Sequence, residues 1–414
     1  MKTIHGFSII ALGLIATLSA HAQDIDHVHL IKSETLAFDE ILNQAMLQAP
    51  EYRELAARNE EAQSHVDIGQ SWIAGRPSAQ LDYIDDRSLS NLGEKELTYG
   101  IALPLWRLGE KGDMQALGRN YSQQATLWQR SFALTTAGQV RSALADLHET
   151  EVLQALEQQA TEDAKTLLST VETLFESGEV AQLDVMQART LLLTQQRNEL
   201  EADAMRVDAE RTYHTLTGLT TAPAAPFHEL RIEAEVVGPE HPHLQLLQSS
   251  IDLEQANVTK ALNTAKGSPT LTVGSRRQKA DAYADYTDAL ALSISIPFGG
   301  KSFVNAAGSA ARRAKVNAEV QFYTALRELN AQLHEVEHAL FTLDLALPMS
   351  QEQAELSRQQ WEMARNAFEL SETDMSRVVI AMQQARATAK EYEALSMQYQ
   401  RLIIESNQII GVLP

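Results

Sequence analysis

The chain contains itself twice, and this constrains its fold more than any other feature. Pro50 and Pro77 stand 27 residues apart, and so do Pro242 and Pro269, at a shift of 192. Pro104 and Pro297 follow at a shift of 193, so six of the eleven prolines pair between halves. The surrounding text agrees: PEYRELAARNEEAQSHVDIGQSWIAGRP (50–77) matches PHLQLLQSSIDLEQANVTKALNTAKGSP (242–269) in length and pattern. FESGE (175–179) returns as FELSE (368–372), again shifted by 193. A unit this long is a duplicated half, not one turn of a solenoid. The halves are expected over 23–222 and 243–414, joined by a linker over 223–242 that Pro223, Pro226, Pro239 and Pro242 mark.

Each half predicts one plan: a helix, two short strands, then a long helical hairpin. Strands are expected over 77–86 and 97–105, and again over 269–278 and 288–297. Leu97, Tyr99, Ile101 and Leu103 alternate with Thr98, Gly100 and Ala102. Leu290, Leu292, Ile294 and Ile296 alternate with Ala289, Ala291, Ser293 and Ser295. Large apolar residues against small or hydroxyl ones, at period two, are the pattern of a membrane β-barrel strand. The runs also approach the roughly 9–11 residues that a spanning strand needs. A half-buried strand of a soluble sandwich alternates similarly, but four strands beside so much helical sequence make a poor sandwich.

From Trp106 to Ala222 there is no proline, and heptad-like spacing recurs at Ala137, Val140, Leu144 and Leu147, then at Leu167, Val171 and Leu174. Met382, Ala385, Ala389, Tyr392, Tyr399 and Ile403 repeat it near the end. Such seams describe coiled-coil packing. Asp113 to Ser177 is 65 residues, about 100 Å of helix. The hairpin tips are expected at 177–180 and 370–373.

Four strands cannot close a barrel, since bacterial barrels start at about eight. Two chains give 2 × 4 = 8 strands, an interior that side chains fill. Three give 3 × 4 = 12, which leaves a lumen. The expectation is therefore a homotrimer, mainly α with a small β part: a 12-strand barrel in lipid, continued by a helical α-barrel.

Lys2 and His5 precede an apolar run from Phe7 to Leu18, and Ala20-His21-Ala22 forms a small-x-small site. This predicts a secretory signal peptide over 1–22, the apolar core being too short to span a bilayer. There is no cysteine, so disulfides, thiolate metal sites and a cysteine-linked lipid anchor are excluded. A net charge of −21 repels nucleic acid, and no nucleic-acid partner is expected.

SISIPFGGKSF (293–303) ends like a phosphate-binding loop. The Walker A pattern wants glycine at 295, where serine stands, and Pro297 supplies no N–H to a phosphate. The segment reads instead as a strand leaving the sheet: Pro297 ends the ladder, and Gly299 and Gly300 turn the chain into a helix. LPLWRLGEKG (103–112), with Pro104, does the same in the first half. No protease, hydrolase or dinucleotide motif appears, so neither an enzyme nor a cofactor is expected.

Taken together, the tandem halves, the LP and IP strand exits and the turn FESGEVAQLDVMQAR (175–189) resemble the outer-membrane efflux protein family, the TolC-like channels. The turn resembles the family's pattern at Phe175, Gly178, Asp184 and Val185; in the second copy Ser371 replaces the glycine and Arg377 stands where aspartate is usual. The resemblance implies a trimeric exit duct in the outer membrane, reaching into the periplasm. It would take cargo from an inner-membrane pump of the resistance–nodulation–division (RND) type through a periplasmic adaptor. The HPHLQLL start of the second half looks most like the branch serving heavy-metal pumps, which points to metal cations as cargo. On this reading Gly178, Glu179, Ser371 and Glu372 are the adaptor-docking tips, and Asp184 with Arg377 forms the pore constriction.

Asp184 has a second reading as a helix cap. His27 and His29, like His241 and His243, offer only two metal ligands where a site needs three or four, so no metal site is expected. Two further readings stand as alternatives: a periplasmic adaptor, which would carry one hairpin between β-rich halves, and a soluble metal-binding coiled coil.

Overall fold

The computed structural model describes residues 29–413; the expected signal peptide and His27 lie outside the described residues. In chain order the elements are β1 (Ile31–Ser33), α1 (Phe38–Gln48), α2 (Tyr52–Gln70), β2 (Ser78–Asp85), β3 (Lys95–Pro104), α3 (Glu110–Glu176), α4 (Gln182–Thr217), β4 (Thr221–Pro223), α5 (Pro242–Lys266), β5 (Thr270–Lys279), β6 (Thr287–Ser295), α6 (Lys301–Glu369) and α7 (Met375–Ile409).

Shifting α3 and α4 by 193 residues lays them on α6 and α7 to within two residues at every end. The interior repeats as well. Val140, Ala143 and Leu147 are buried in one core, and their equivalents Leu333, Val336 and Leu340 are buried in another. The halves differ in what covers these positions. In the first, α1 supplies Ile41 and Ala45; in the second, the segment after β4 supplies Val237 and α5 supplies Leu244.

Two helices precede the strands of the first half, where one was expected. Pro50 is the cause: it pushes Ala49 out of the helical region, to φ −65° and ψ 131°, and so separates α1 from α2. Conversely, α6 runs through Pro348, which removes one hydrogen bond from its ladder. The second half begins on a cap that sequence reasoning missed. Nδ1 of buried His241 accepts N–H groups of His243 and Leu244 at 3.2 and 3.4 Å, while Pro242 takes the first helical position.

Where the halves meet, β1 and β4 pair in parallel, Ile31 opposite Thr221. Arg141, almost wholly buried in α3, binds Glu229 at 2.6 Å and the Val412 carbonyl at 2.9 Å. One side chain thus pins the inter-half segment and the end of α7 to the first hairpin. A third core, from Leu167, Val171, Leu191, Phe368, Met375 and Val378, joins the two hairpins near their tips.

Candidate functional site

The four-stranded sheet is antiparallel throughout, in the order β2-β3-β5-β6, so the strands of both halves form one surface. Its register sorts side chains onto two faces. Ala79, Ile101, Val273 and Leu292 stand opposite one another in one row, and Leu81, Tyr99, Ser275 and Leu290 in the next. Leu103, Leu271 and Ile294 continue this apolar face toward the helices. The other face carries Ser78, Ala102, Thr272 and Ser293 in one row and Asp82, Thr98, Arg276 and Ala289 in another. Arg276 lies 3.8 Å from Glu96 on this polar face. An apolar face that remains exposed in water is an unmet demand for another apolar medium.

At the centre of the sheet Gly100 faces Gly274. A Cβ on Gly274 would stand 2.1 Å from the Tyr99 carbonyl oxygen, so the backbones approach too closely for any side chain. Among the described residues both outer strands, β2 and β6, keep one edge unpaired.

The joints repeat as the halves do. Pro104 closes β3 opposite Thr270, and the Leu105 N–H donates to the Pro269 carbonyl at 2.7 Å. Pro297 lies two residues beyond the end of β6, so the ladder stops short of the 288–297 expected from the sequence. Each proline packs on the glycine that precedes its own first strand, Pro104 on Gly75 and Pro297 on Gly267. Gly299 and Gly300 take left-handed φ of +83° and +74° and turn the chain into α6.

Both hairpin tips are exposed, with Gly178, Glu179, Ser371 and Glu372 at the reversals. Their hydrogen bonds match. The Glu179 N–H donates to Leu174 and the Glu372 N–H to Ala367; those of Gly178 and Ser371 donate to Phe175 and Phe368. Just beyond, the carboxylate of Asp184 reaches back to the Ala181 N–H at 3.0 Å. In the second hairpin that task falls to Asp374, which accepts the Arg377 N–H at 3.0 Å and sits 3.7 Å from the Arg377 guanidinium. Within one chain, therefore, Asp184 caps α4 and Arg377 turns to Asp374; the structure does not bring Asp184 and Arg377 together.

Two features had no counterpart in the sequence reading. The first is Glu157, buried in α3, which binds Arg386 and Lys390 of α7, the latter at 2.8 Å. Burial raises its pKa, but the two cations outweigh burial and hold the carboxyl below its ordinary range. The second is a pair of exposed apolar stripes at strict seven-residue spacing. Met186, Leu193 and Leu200 lie along α4, and Met349, Leu356 and Met363 along α6 with Leu370 just past its end, all more than half exposed. They are a coiled-coil seam without a partner among the described residues. The sequence carried this spacing in plain view, but burial was needed to show that no described helix covers it.

Among the described residues no group of three or more His, Asp or Glu side chains is placed to hold a metal ion. Nor is any described helix long and apolar enough to cross a membrane.

Residues 41–219, most of the first half, match the family model described as outer membrane efflux protein. The fold as a whole is that of solved outer-membrane channels. VceC, an outer membrane protein of Vibrio cholerae, is similar with a TM-score of 0.71 at 14% identity, covering 90% of this chain and 96% of that one. CusC gives 0.70 at 14% identity over 93% of each chain. The MtrE outer membrane channel of Neisseria gonorrhoeae, in its open state, gives 0.68 at 14% identity, over 90% and 88%. A comparison with curated proteins gave no match.

Proposed function

We propose that the chain is the outer-membrane exit duct of a tripartite efflux system, working as a homotrimer that lines a passive pore from the membrane into the periplasm. The observation that carries this is the register of the sheet, whose one apolar face suits lipid and whose one polar face suits a lumen. The unpaired edges of β2 and β6 and the stripes on α4 and α6 are the surfaces through which one copy would meet the next. Fractionation tests it: the chain should run as a heat-resistant trimer from outer membranes. Leu292→Arg should impair insertion, at about 2–4 kcal/mol for a lipid-facing charge at mid-bilayer. A soluble periplasmic monomer would overturn the proposal.

The exposed tips at Gly178-Glu179 and Ser371-Glu372 are the docking points for a periplasmic adaptor serving an RND-type pump. Gly178→Trp should abolish efflux with trimer and surface level unchanged. In a trimer, Asp184 recurs three times near the axis, where like charges gather cations. Paired between copies, Asp184 and Arg377 would hold the mouth closed. Asp184→Asn should then raise single-channel conductance in planar bilayers; unchanged conductance would leave it a cap alone. Metal cations are the proposed cargo, supported by the charge of −21. A deletion strain sensitive to dyes but not to zinc, cobalt, copper or silver would remove that assignment.

A further inference from the structure

We propose that the lipid-facing side of the sheet carries, at its loop end, a site for the phosphate of an outer-leaflet lipid headgroup. This rests on the reading of the sheet as barrel wall. The helices attach at one end of the strands and the two strand loops lie at the other, so the loop end is the extracellular one. On the apolar face, Leu97, Tyr99, Ile101 and Leu103 give way to Lys95. From Leu103 to Lys95 is eight residues along β3, about 27 Å of strand. That is close to the roughly 25 Å height of an apolar barrel band, so Lys95 stands at its polar border.

The register assembles positive charge there. Lys95 lies directly opposite Lys279, and Arg277 is two residues along the same face of β5. Like charges directly opposed across a ladder are unfavourable unless something negative lies between them. No described carboxylate supplies it. Asp85, the other neighbour of Lys95, is engaged by Arg87 at 2.7 Å and by the Tyr83 hydroxyl at 2.8 Å. Asp288, itself exposed, reaches Arg277 only at 3.7 Å. Among the described residues neither Lys95 nor Lys279 forms a salt bridge.

The ring of Tyr286 lies beneath both remaining cations, 4.9 Å from the Arg277 guanidinium and 5.6 Å from the Lys279 ammonium. An aromatic ring at the membrane border with cations held over it is a headgroup-level arrangement. In a chain of net charge −21 the concentration of cations is a local exception. A phosphate matches it: a single group with several acceptor oxygens accommodates a lysine pair and a guanidinium fork together.

The test is native mass spectrometry of the full trimer released in detergent. It would be titrated with a phosphorylated acyl-disaccharide lipid, its dephosphorylated form, and inorganic phosphate. The wild type should retain the phosphorylated lipid and not the dephosphorylated one. Lys95→Gln, Arg277→Gln and Lys279→Gln combined should weaken retention by at least about tenfold, the scale of one lost charge-assisted contact. Arg276→Gln, on the polar face, should leave retention unchanged. Lys279→Gln alone, with a smaller loss, serves if the triple variant fails to insert. Equal retention of both lipids, or by the triple variant, would overturn the proposal, as would displacement by millimolar inorganic phosphate. An inserted trimer indifferent to lipid phosphate removes this site alone; a wild-type chain absent from the outer membrane removes the channel reading with it.

Discussion

Gly178 and Ser371 occupy the same place in the two hairpin turns, 371 − 178 = 193 residues apart, and both are left-handed, with φ of +80° and +60°. Only one of them is glycine. A left-handed L-residue costs about 1–2 kcal/mol, part of which a glycine would return to chain entropy in the unfolded state. Ser371→Gly should therefore stabilise the second hairpin by about 0.5–1 kcal/mol. Gly178→Ala should destabilise the first by about 1 kcal/mol, although open space surrounds the added Cβ. Urea midpoints followed by far-UV circular dichroism measure both.

The Gly100–Gly274 contact makes a harsher demand. Gly274→Ala should separate β3 from β5 or bend them, because backbone rather than a flexible side chain lies in the way. The expected outcome is a loss of several-fold or more in folded trimer, read on unheated gels of outer membranes. A disruption of about 1–3 kcal/mol would suffice. Gly178→Ala, by contrast, should leave that level intact.

Glu157 ties the first hairpin to the second. Glu157→Leu should destabilise the helical body by about 2 kcal/mol, less than a fully buried pair would lose, because Arg386 and Lys390 are partly exposed. Replacing Arg386 and Lys390 by methionine in the same chain should recover much of it. Since the folded carboxyl is held below its ordinary range, this contribution is present above about pH 4.5 and is lost as the solution becomes more acidic.

His241 titrates against the fold in a different window. Burial, then the charge of His243, lowers its pKa to about 4. Its cap on α5 needs the neutral ring, because Nδ1 accepts N–H groups. The unfolded chain takes up a proton near pH 6.5 that the folded chain refuses. Stability from this group is complete above about pH 6.5 and falls by up to about 3 kcal/mol toward pH 4. Burial shifts His243 in the same direction. His241→Asn keeps a capping oxygen without the titration, so its stability should vary less between these pH values. An unchanged slope would show that other groups carry it.

The duplication, the alternating strands and the hairpins were legible because each is a local pattern: proline spacing, period two, a heptad seam. What escaped the sequence depends on contacts far along the chain. Glu157 looks like any surface glutamate of a long helix until Arg386 and Lys390, more than two hundred residues away, come to face it. His241 and His243 read as a weak metal pair, whereas His241 caps a helix. The three-residue strands β1 and β4 carry no periodicity at all. Asp374 was passed over because the match between halves placed Arg377 opposite Asp184, and the capping carboxylate had moved by one turn.

On the barrel reading, neighbouring residues of one strand face different media. The chain has no cysteine, so a single introduced thiol reports one position. In intact outer-membrane vesicles, Ser293→Cys should react with a water-soluble maleimide that does not enter lipid, because Ser293 lies on the polar face. Leu292→Cys, one residue away on the apolar face, should resist the same reagent and yield to a lipid-soluble one. Equal labelling of the two by the water-soluble reagent, or labelling of Leu292→Cys alone, would show that the sheet does not separate lipid from water.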